Sequence, residues 1–167
     1  MCNEWRGILA RMTTLPPTHA ELSAAELGAW RGMLRIHTAL IRALDAELDA
    51  AHGLPLTSYD VLIYLQNAPQ KRLRMAELAD SVLLSRSGVT RLVDRLEREG
   101  LLVRDACDDD GRGLYAVLTR KGEEVLERAR PTHLAGVRER FLSHFSEDEL
   151  EQMAAYWERV LPGSAQT

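Results

Sequence analysis

Hydroxyl and guanidinium side chains recur at helical spacing between residues 85 and 98. At about 100° per residue, the apolar side chains of this segment fall on one stripe, and Ser87, Thr90 and Arg91 fall on the opposite side. Small residues at the start of a helix let the backbone approach a groove closely, and the N–H groups there favour phosphate oxygens. An arginine on the same face can bind a guanine edge with two hydrogen bonds. The pattern therefore predicts recognition of duplex nucleic acid, against the plainer alternative of a solvated surface helix.

Further cations lie on either side of this segment. Arg112 stands between two glycines in a polar loop, where it is predicted to enter a minor groove, because the negative potential there favours arginine. The aspartates before it would repel phosphate, so we expect Asp110 to point back and hold Arg112 or the neighbouring helix by a salt bridge. The full set of predicted DNA contacts is Lys71, Arg72, Arg74, Ser85, Arg86, Ser87, Thr90, Arg91, Arg95 and Arg112.

Charge is unevenly distributed along the chain. The 167 residues carry a formal net charge of −4, which by itself disfavours a polyanionic partner. Residues 71–104, however, contain eight Lys and Arg against five Asp and Glu, so this stretch is basic within an acidic protein. Such a distribution indicates one face that attracts a polyanion and repulsion elsewhere.

A long helix is predicted ahead of the contact segment. Residues 23–26 form a capping box that opens it, and Gly53 ends it. Its apolar residues recur at alternating steps of three and four, which is typical of a heptad seam that packs on a partner helix. They are Leu27, Trp30, Leu34, Ile41, Leu44, Leu48 and Ala51, with His37 at the remaining seam position. Residues 57–60 form a second capping box, which predicts a shorter helix and accounts for Asp60 without a functional role.

The contact segment is predicted to be the second helix of a helix-turn-helix. A short helix over residues 75–81 and a break at residues 83–84 precede it. Ser85 is an N-cap residue for the contact helix, and Gly100 stands where a C-terminal glycine is expected. In a helix-turn-helix, this second helix enters the major groove.

A β-hairpin and two more helices are predicted to follow. Residues 101–104 and 114–118 have the composition of paired strands, and a hairpin directly after a helix-turn-helix makes a wing. Thr119 is predicted to cap the next helix, and a third capping box at residues 146–149 opens the last one.

The predicted fold class is mainly α with a small β-hairpin wing, in which a winged helix-turn-helix lobe is joined to a helical dimerisation region. The expected divisions are a leader at 1–22, a dimerisation helix at 23–56, the DNA-binding lobe at 57–119, C-terminal dimerisation helices at 120–161 and a tail at 162–167. The last helix also has apolar residues at heptad steps, namely Leu150, Met153, Trp157 and Val160. Together with the first helix, it exposes more apolar seam than one small lobe can cover, which favours a homodimer.

The combined motif resembles the MarR family of bacterial transcriptional regulators. The resemblance is carried by residues 75–81, residues 84–101, the triplet Asp110-Gly111-Arg112 and the triplet Val117-Leu118-Thr119, and it extends over about residues 25–161. It implies a homodimer that binds a pseudo-palindromic operator, usually as a repressor. It also implies release from DNA by a small phenolic or anionic effector, or in some members by oxidation of a cysteine.

Three side chains are candidates for effector binding, each with a plainer alternative. His37 occupies a seam position where leucine is expected, so it is either a hydrogen-bonded structural residue or an effector contact. The same alternatives hold for His133, and Trp30 is either core or a ligand platform. As a hypothesis, His37 and His133 line a pocket. A ligand bound there would change the spacing of the two recognition helices, which are the contact helices of the two chains of the dimer.

Other classes of protein are disfavoured. The chain has two cysteines and no C-x-x-C spacing, which predicts neither a disulfide framework nor a metal site and indicates a reduced, cytoplasmic compartment. No long apolar run indicates a secretory signal or a membrane span. No catalytic motif is present, so we expect neither an enzyme nor a cofactor. The alternatives that stay open are a winged lobe that binds protein instead of DNA, and a redox-sensing regulator that acts through Cys107.

Overall fold

A computed structural model describes residues 21–82, 86–106 and 114–164, without the side chain of Arg86. The described part is mostly helical with a small antiparallel sheet, which confirms the predicted fold class. Its elements are α1 Ala24–His52, α2 Leu56–Asn67, β1 Arg72–Arg74, α3 Met75–Ser81, α4 Arg86–Arg98, β2 Leu102–Ala106, β3 Leu114–Leu118, α5 Arg120–Arg140 and α6 Glu147–Val160.

The described residues divide into two compact units. One contains residues 21–40 and 137–164, which are the first part of α1 and the C-terminal end of the chain. The other contains the described residues of 41–136, and it includes the helix-turn-helix and the sheet. None of the described helices combines the length and the apolar character needed to cross a bilayer.

Helix α1 begins as its capping box predicts. The Ser23 N–H donates to the Glu26 carboxylate at 2.8 Å, and the Glu26 N–H donates to Ser23 Oγ at 3.2 Å. These two bonds satisfy N–H groups that would otherwise have no partner within the helix. Along the predicted seam, Leu44 and Leu48 are buried, whereas Trp30 and Leu34 are exposed.

Helix α2 corrects the second predicted capping box. The helix begins at Leu56, with Pro55 in the N-cap position and no side-chain cap, so residues 57–60 lie inside its first turns. The Leu56 N–H donates instead to Asp45 Oδ1 of α1 at 2.8 Å. An acceptor from a neighbouring helix thus replaces the local one, and the capping explanation of Asp60 is wrong.

The sheet has the strand order β1-β3-β2. The predicted hairpin is confirmed, since β2 and β3 pair antiparallel from Leu102 opposite Leu118 to Ala106 opposite Leu114. Strand β1 was not predicted. It places Arg72 opposite Val117 and hydrogen-bonds to the other side of β3.

The core of the second unit is built from leucine and valine. Its fully buried members include Leu48, Val61, Leu62, Leu65, Leu78, Val89, Val93, Leu96, Leu102 and Leu126. Each contributes about 1.5–3 kcal/mol by leaving water, so α4 is fixed to the lobe by its apolar stripe. Gly100 ends α4 as predicted, with a φ of +72° and with the Leu101 N–H donating to the Leu96 carbonyl at 2.9 Å.

Two further predicted caps are confirmed. The Gly122 N–H donates to Thr119 Oγ1 at 3.0 Å at the start of α5. Ser146 and Glu149 form a reciprocal capping box at the start of α6. Helix α5 continues through Pro131 to Arg140.

Candidate nucleic-acid interface

Helix α4 separates its apolar and polar residues onto opposite sides, as predicted. Val89, Val93 and Leu96 are buried in the lobe. The side chains of the opposite face are exposed, and they are Ser87, Thr90, Arg91, Asp94 and Arg98. The helix therefore exposes hydroxyl and guanidinium groups on one side, while its buried side chains on the other side fix it to the lobe.

Arg91 and Arg98 lie along this exposed face. Arg91 Nε donates to the Ser87 carbonyl at 3.3 Å, and Arg98 Nε donates to the Asp94 carbonyl at 3.2 Å. No carboxylate within the described ranges forms an ion pair with either guanidinium. Both are thus suited to meet an anion from outside the protein.

Arg95 points to a different set of partners. Its Nη2 donates to Ser58 Oγ of α2 at 2.5 Å, and its Nε lies 4.0 Å from the Glu99 carboxylate. Ser58 is buried, so this contact also satisfies a hydroxyl that is removed from water. Arg95 links α4 to α2, and its predicted contact with DNA stays a prediction.

The basic residues around β1 also have partners within the protein. Lys71 Nζ pairs with Glu123 of α5 at 2.6 Å. The guanidinium carbons of Arg72 and Arg74 lie 4.6 and 5.7 Å from the centre of the Tyr115 ring on β3, within the range of a cation–π interaction. Their predicted phosphate contacts are likewise untested.

Arg104 joins the wing strand β2 to helix α4, and sequence reasoning missed it. Its Nη2 bonds Asp94 Oδ1 at 2.6 Å and its Nη1 bonds Glu97, while its backbone N–H donates to Glu97 Oε1 at 2.9 Å. Burial alone would lower the pKa of the Arg104 guanidinium, but the two carboxylates outweigh it and raise that pKa. The available signal was a pair of carboxylates at i, i+3 on a helix that is followed at once by an arginine-bearing strand.

Several predicted site residues lie outside the described residues. They are Ser85, Cys107, Asp110 and Arg112, together with the side chain of Arg86. The predicted Asp110 salt bridge therefore stays a prediction. Arg104 supplies a link between helix and wing of the kind that was expected from Asp110.

The three effector candidates fall in different units. Trp30 and His37 are exposed residues of the first unit, so neither is packed in the core of this chain. His133 lies in the second unit with its ring 4.5 Å from that of Tyr59. Burial lowers the pKa of His133, and its buried Nδ1 has no hydrogen-bond partner among the described residues. The pocket hypothesis stays untested.

Asp60 needs an explanation other than capping. It is half-buried on α2, and burial raises the pKa of its carboxyl to about 6. Burial also raises the pKa of Tyr64, and the charge of Asp60 raises it further. Within the described ranges, no three His, Cys, Asp or Glu side chains are grouped as a metal site requires.

The chain was compared with known proteins. A family model described as "MarR family" matches residues 52–113. The chain is 38% identical over 103 residues to the uncharacterised HTH-type transcriptional regulator YkoM of Bacillus subtilis, which covers 61% of this chain and 64% of that protein, just under two thirds of its length. It is 32% identical over 137 residues to the transcriptional repressor MprA of Escherichia coli, covering 81% of this chain and 77% of that one.

A solved structure extends the likeness to the fold. Sco3205, a MarR family transcriptional regulator from Streptomyces coelicolor solved in complex with DNA, aligns with a TM-score of 0.77 at 34% identity. The alignment covers 89% of this chain and 96% of that one. Identity and coverage at this level, together with the winged helix-turn-helix described above, establish that the chain belongs to the MarR family of transcriptional regulators.

Proposed function

We propose that this regulator binds a pseudo-palindromic duplex operator as a homodimer and represses transcription there. The observation that carries the proposal is the exposed face of α4, where Arg91 and Arg98 have no carboxylate partner in the described part of the chain. The related Sco3205 was solved with DNA, and the related MprA is named as a repressor. A protein that acts on chromosomal DNA would work in the bacterial cytoplasm.

The proposed dimer rests on the apolar surface of the first unit. Its helices expose large apolar side chains, among them Trp30, Met33, Leu34, Ile36, Tyr156, Trp157 and Val160. Exposed patches of this kind mark interaction surfaces, and a second copy of the chain would cover them by two-fold symmetry. The two recognition helices would then lie about 34 Å apart, one turn of DNA.

The direct test is a binding titration with duplex DNA from upstream of the protein's own gene. Arg91→Ala and Arg112→Ala should each weaken binding about ten- to hundredfold without lowering the melting temperature, because each removes one base or groove contact. Arg120→Ala is the matched control, since Arg120 belongs to α5 and not to α4, is 93% exposed and pairs with Glu124 four residues along its own helix.

Salt dependence provides a second readout of the same titration. With six to ten phosphate contacts per dimer, affinity should fall by roughly 10³–10⁵ between 50 and 200 mM salt. Equal affinity for the upstream duplex and for a shuffled duplex at moderate salt would contradict the proposal, as would a monomeric wild-type protein.

We also propose that a small-molecule effector releases the protein from DNA, with Trp30, His37 and His133 as contacts. The ring of His133 contacts the Tyr59 ring at a tilt of 34°, and its unsatisfied Nδ1 would gain a partner from a polar ligand. His37→Leu and His133→Leu should abolish release by an aromatic acid that releases the wild type, while DNA affinity without ligand stays the same. Intact release in both variants would show that the contacts are wrongly assigned.

The redox alternative, in which oxidation of Cys107 releases the protein from DNA, fails if peroxide leaves DNA binding unchanged.

A further inference from the structure

An acidic side chain lies in the middle of the proposed contact face. Asp94 is on the same side of α4 as Arg91 and Arg98, and its side chain is 49% exposed. A carboxylate that faces phosphates raises the energy of the complex by like-charge repulsion. A neighbouring cation that pairs with Asp94 would reduce this repulsion.

Arg104 supplies that charge from the adjoining strand. Its side chain is 19% exposed and divides its guanidinium between Asp94, at 2.6 Å, and Glu97. The planar guanidinium fork suits two acceptors at once, which a lysine ammonium would not bind in the same way. The Arg104 N–H bonds Glu97 as well, at 2.9 Å, so Glu97 alone already fastens β2 to the helix.

We propose that Arg104 is a positioning residue for DNA binding, which neutralises Asp94 on the contact face and fixes the wing strand to the recognition helix. The inference rests on the proposed function of α4. Strand β2 leads directly into residues 107–113, which include Arg112. One side chain thus serves both the electrostatics of α4 and the attachment of strand β2 to that helix.

The two roles depend on different carboxylates, so they can be separated. The contact with Asp94 changes the charge of the exposed face, whereas the two bonds to Glu97 attach the strand. Replacing Asp94 by asparagine removes the negative charge and makes neutralisation unnecessary. Replacing Glu97 by glutamine weakens the attachment and leaves the bond from Arg104 to Asp94 in place.

The experiment is an anisotropy titration of the labelled upstream duplex against the full chain, with melting temperatures recorded in parallel. We expect Arg104→Met to weaken binding about tenfold or more, and we expect Asp94→Asn in the same chain to restore most of that loss. Arg120→Met is the control and should change affinity less than about threefold, since that exposed arginine pairs with Glu124 of its own helix α5. Glu97→Gln should cost less affinity than Arg104→Met.

Several outcomes would overturn the inference. One is an affinity for Arg104→Met equal to that of Arg120→Met. Another is a loss of affinity that persists when Asp94→Asn is also present, as expected if Arg104 touched phosphate directly or served stability alone. Should Arg104→Met fail to fold, Asp94→Asn and Arg104→Lys decide instead. Asp94→Asn should then bind at least as tightly as wild type, and Arg104→Lys should bind more weakly. A wild type without preference for its upstream duplex would contradict the proposed function itself, before any variant is compared.

Discussion

At the scale of single residues, Asp60 makes stability depend on pH. Its folded-state pKa of about 6 lies above the ordinary value of 3.8, so the folded chain holds the proton more tightly than the unfolded chain. The stability that this provides is present below about pH 4 and is lost as pH rises through 6. At neutral pH the half-buried carboxylate is therefore a destabilising group.

Asp60→Asn should remove this penalty. We expect the free energy of unfolding at pH 8 to rise by about 1–2 kcal/mol, after allowance for partial solvent screening, and the gain to vanish near pH 4. Urea unfolding at both pH values and at one protein concentration measures the effect, with Asp49→Asn on exposed α1 surface as the control. An equal gain at pH 4 and pH 8 would show that the carboxylate charge is not responsible.

The candidate site was predictable where its chemistry is local. The exposed and buried faces of α4 follow from spacing alone, so the sequence predicted Ser87, Thr90 and Arg91 as surface residues, and the structure has them exposed. The partners of other cations were not predictable, because they come from distant parts of the chain. Lys71 pairs with Glu123, and Arg95 bonds Ser58, but the members of each pair are far apart in sequence. Only the tertiary fold brings them together.

At the scale of elements, the first turn of α5 contains a glycine, Gly122, at a position that has no room for a side chain. A Cβ on Gly122 would lie 2.1 Å from the Leu101 carbonyl oxygen and 2.7 Å from a Leu118 methyl carbon. The first turn of α5 therefore packs directly on the backbone between α4 and β2. This contact sets how closely the helix approaches the sheet.

Gly122→Ala should lower the free energy of unfolding by about 2–3 kcal/mol, because backbone must move to admit the methyl group. Gly28→Ala is the control, since the space around Gly28 is open in this chain and alanine favours a helix. Thermal unfolding distinguishes the two variants, with a decrease expected for the first and none for the second. A Gly122→Ala protein as stable as wild type would contradict the packing described for α5.

The elements were predicted well where a short motif specifies them and poorly where a distant contact does. The capping boxes at Ser23 and Ser146 close within four residues, so sequence was sufficient for α1 and α6. The start of α2 depends on Asp45, eleven residues earlier, which no local pattern indicates. Strand β1 has three residues, two of them arginine, and its pairing with β3 gives it the strand conformation.

At the scale of the whole molecule, the exposed apolar side chains of the first unit are expected to hold two chains together. Trp157→Glu on α6 should weaken dimerisation at least about thirtyfold, because this exposed tryptophan would become buried in the proposed dimer, where a glutamate in its place would be an unpaired charge. Light scattering after size exclusion, over a range of concentrations, measures the change. Gln152→Glu, at an exposed polar position of the same helix, is the control. If Trp157→Glu dimerises like wild type, the interface lies elsewhere.

The Tyr115 ring has a consequence for how this surface can evolve. One neutral aromatic side chain holds two guanidinium groups from alternate residues of a single strand. Exchanging the tyrosine for leucine would leave the net charge unchanged and yet remove one cation–π contact from each arginine. A substitution at an uncharged residue can therefore change the electrostatic potential at the surface of the lobe. A count of basic residues would not detect that change.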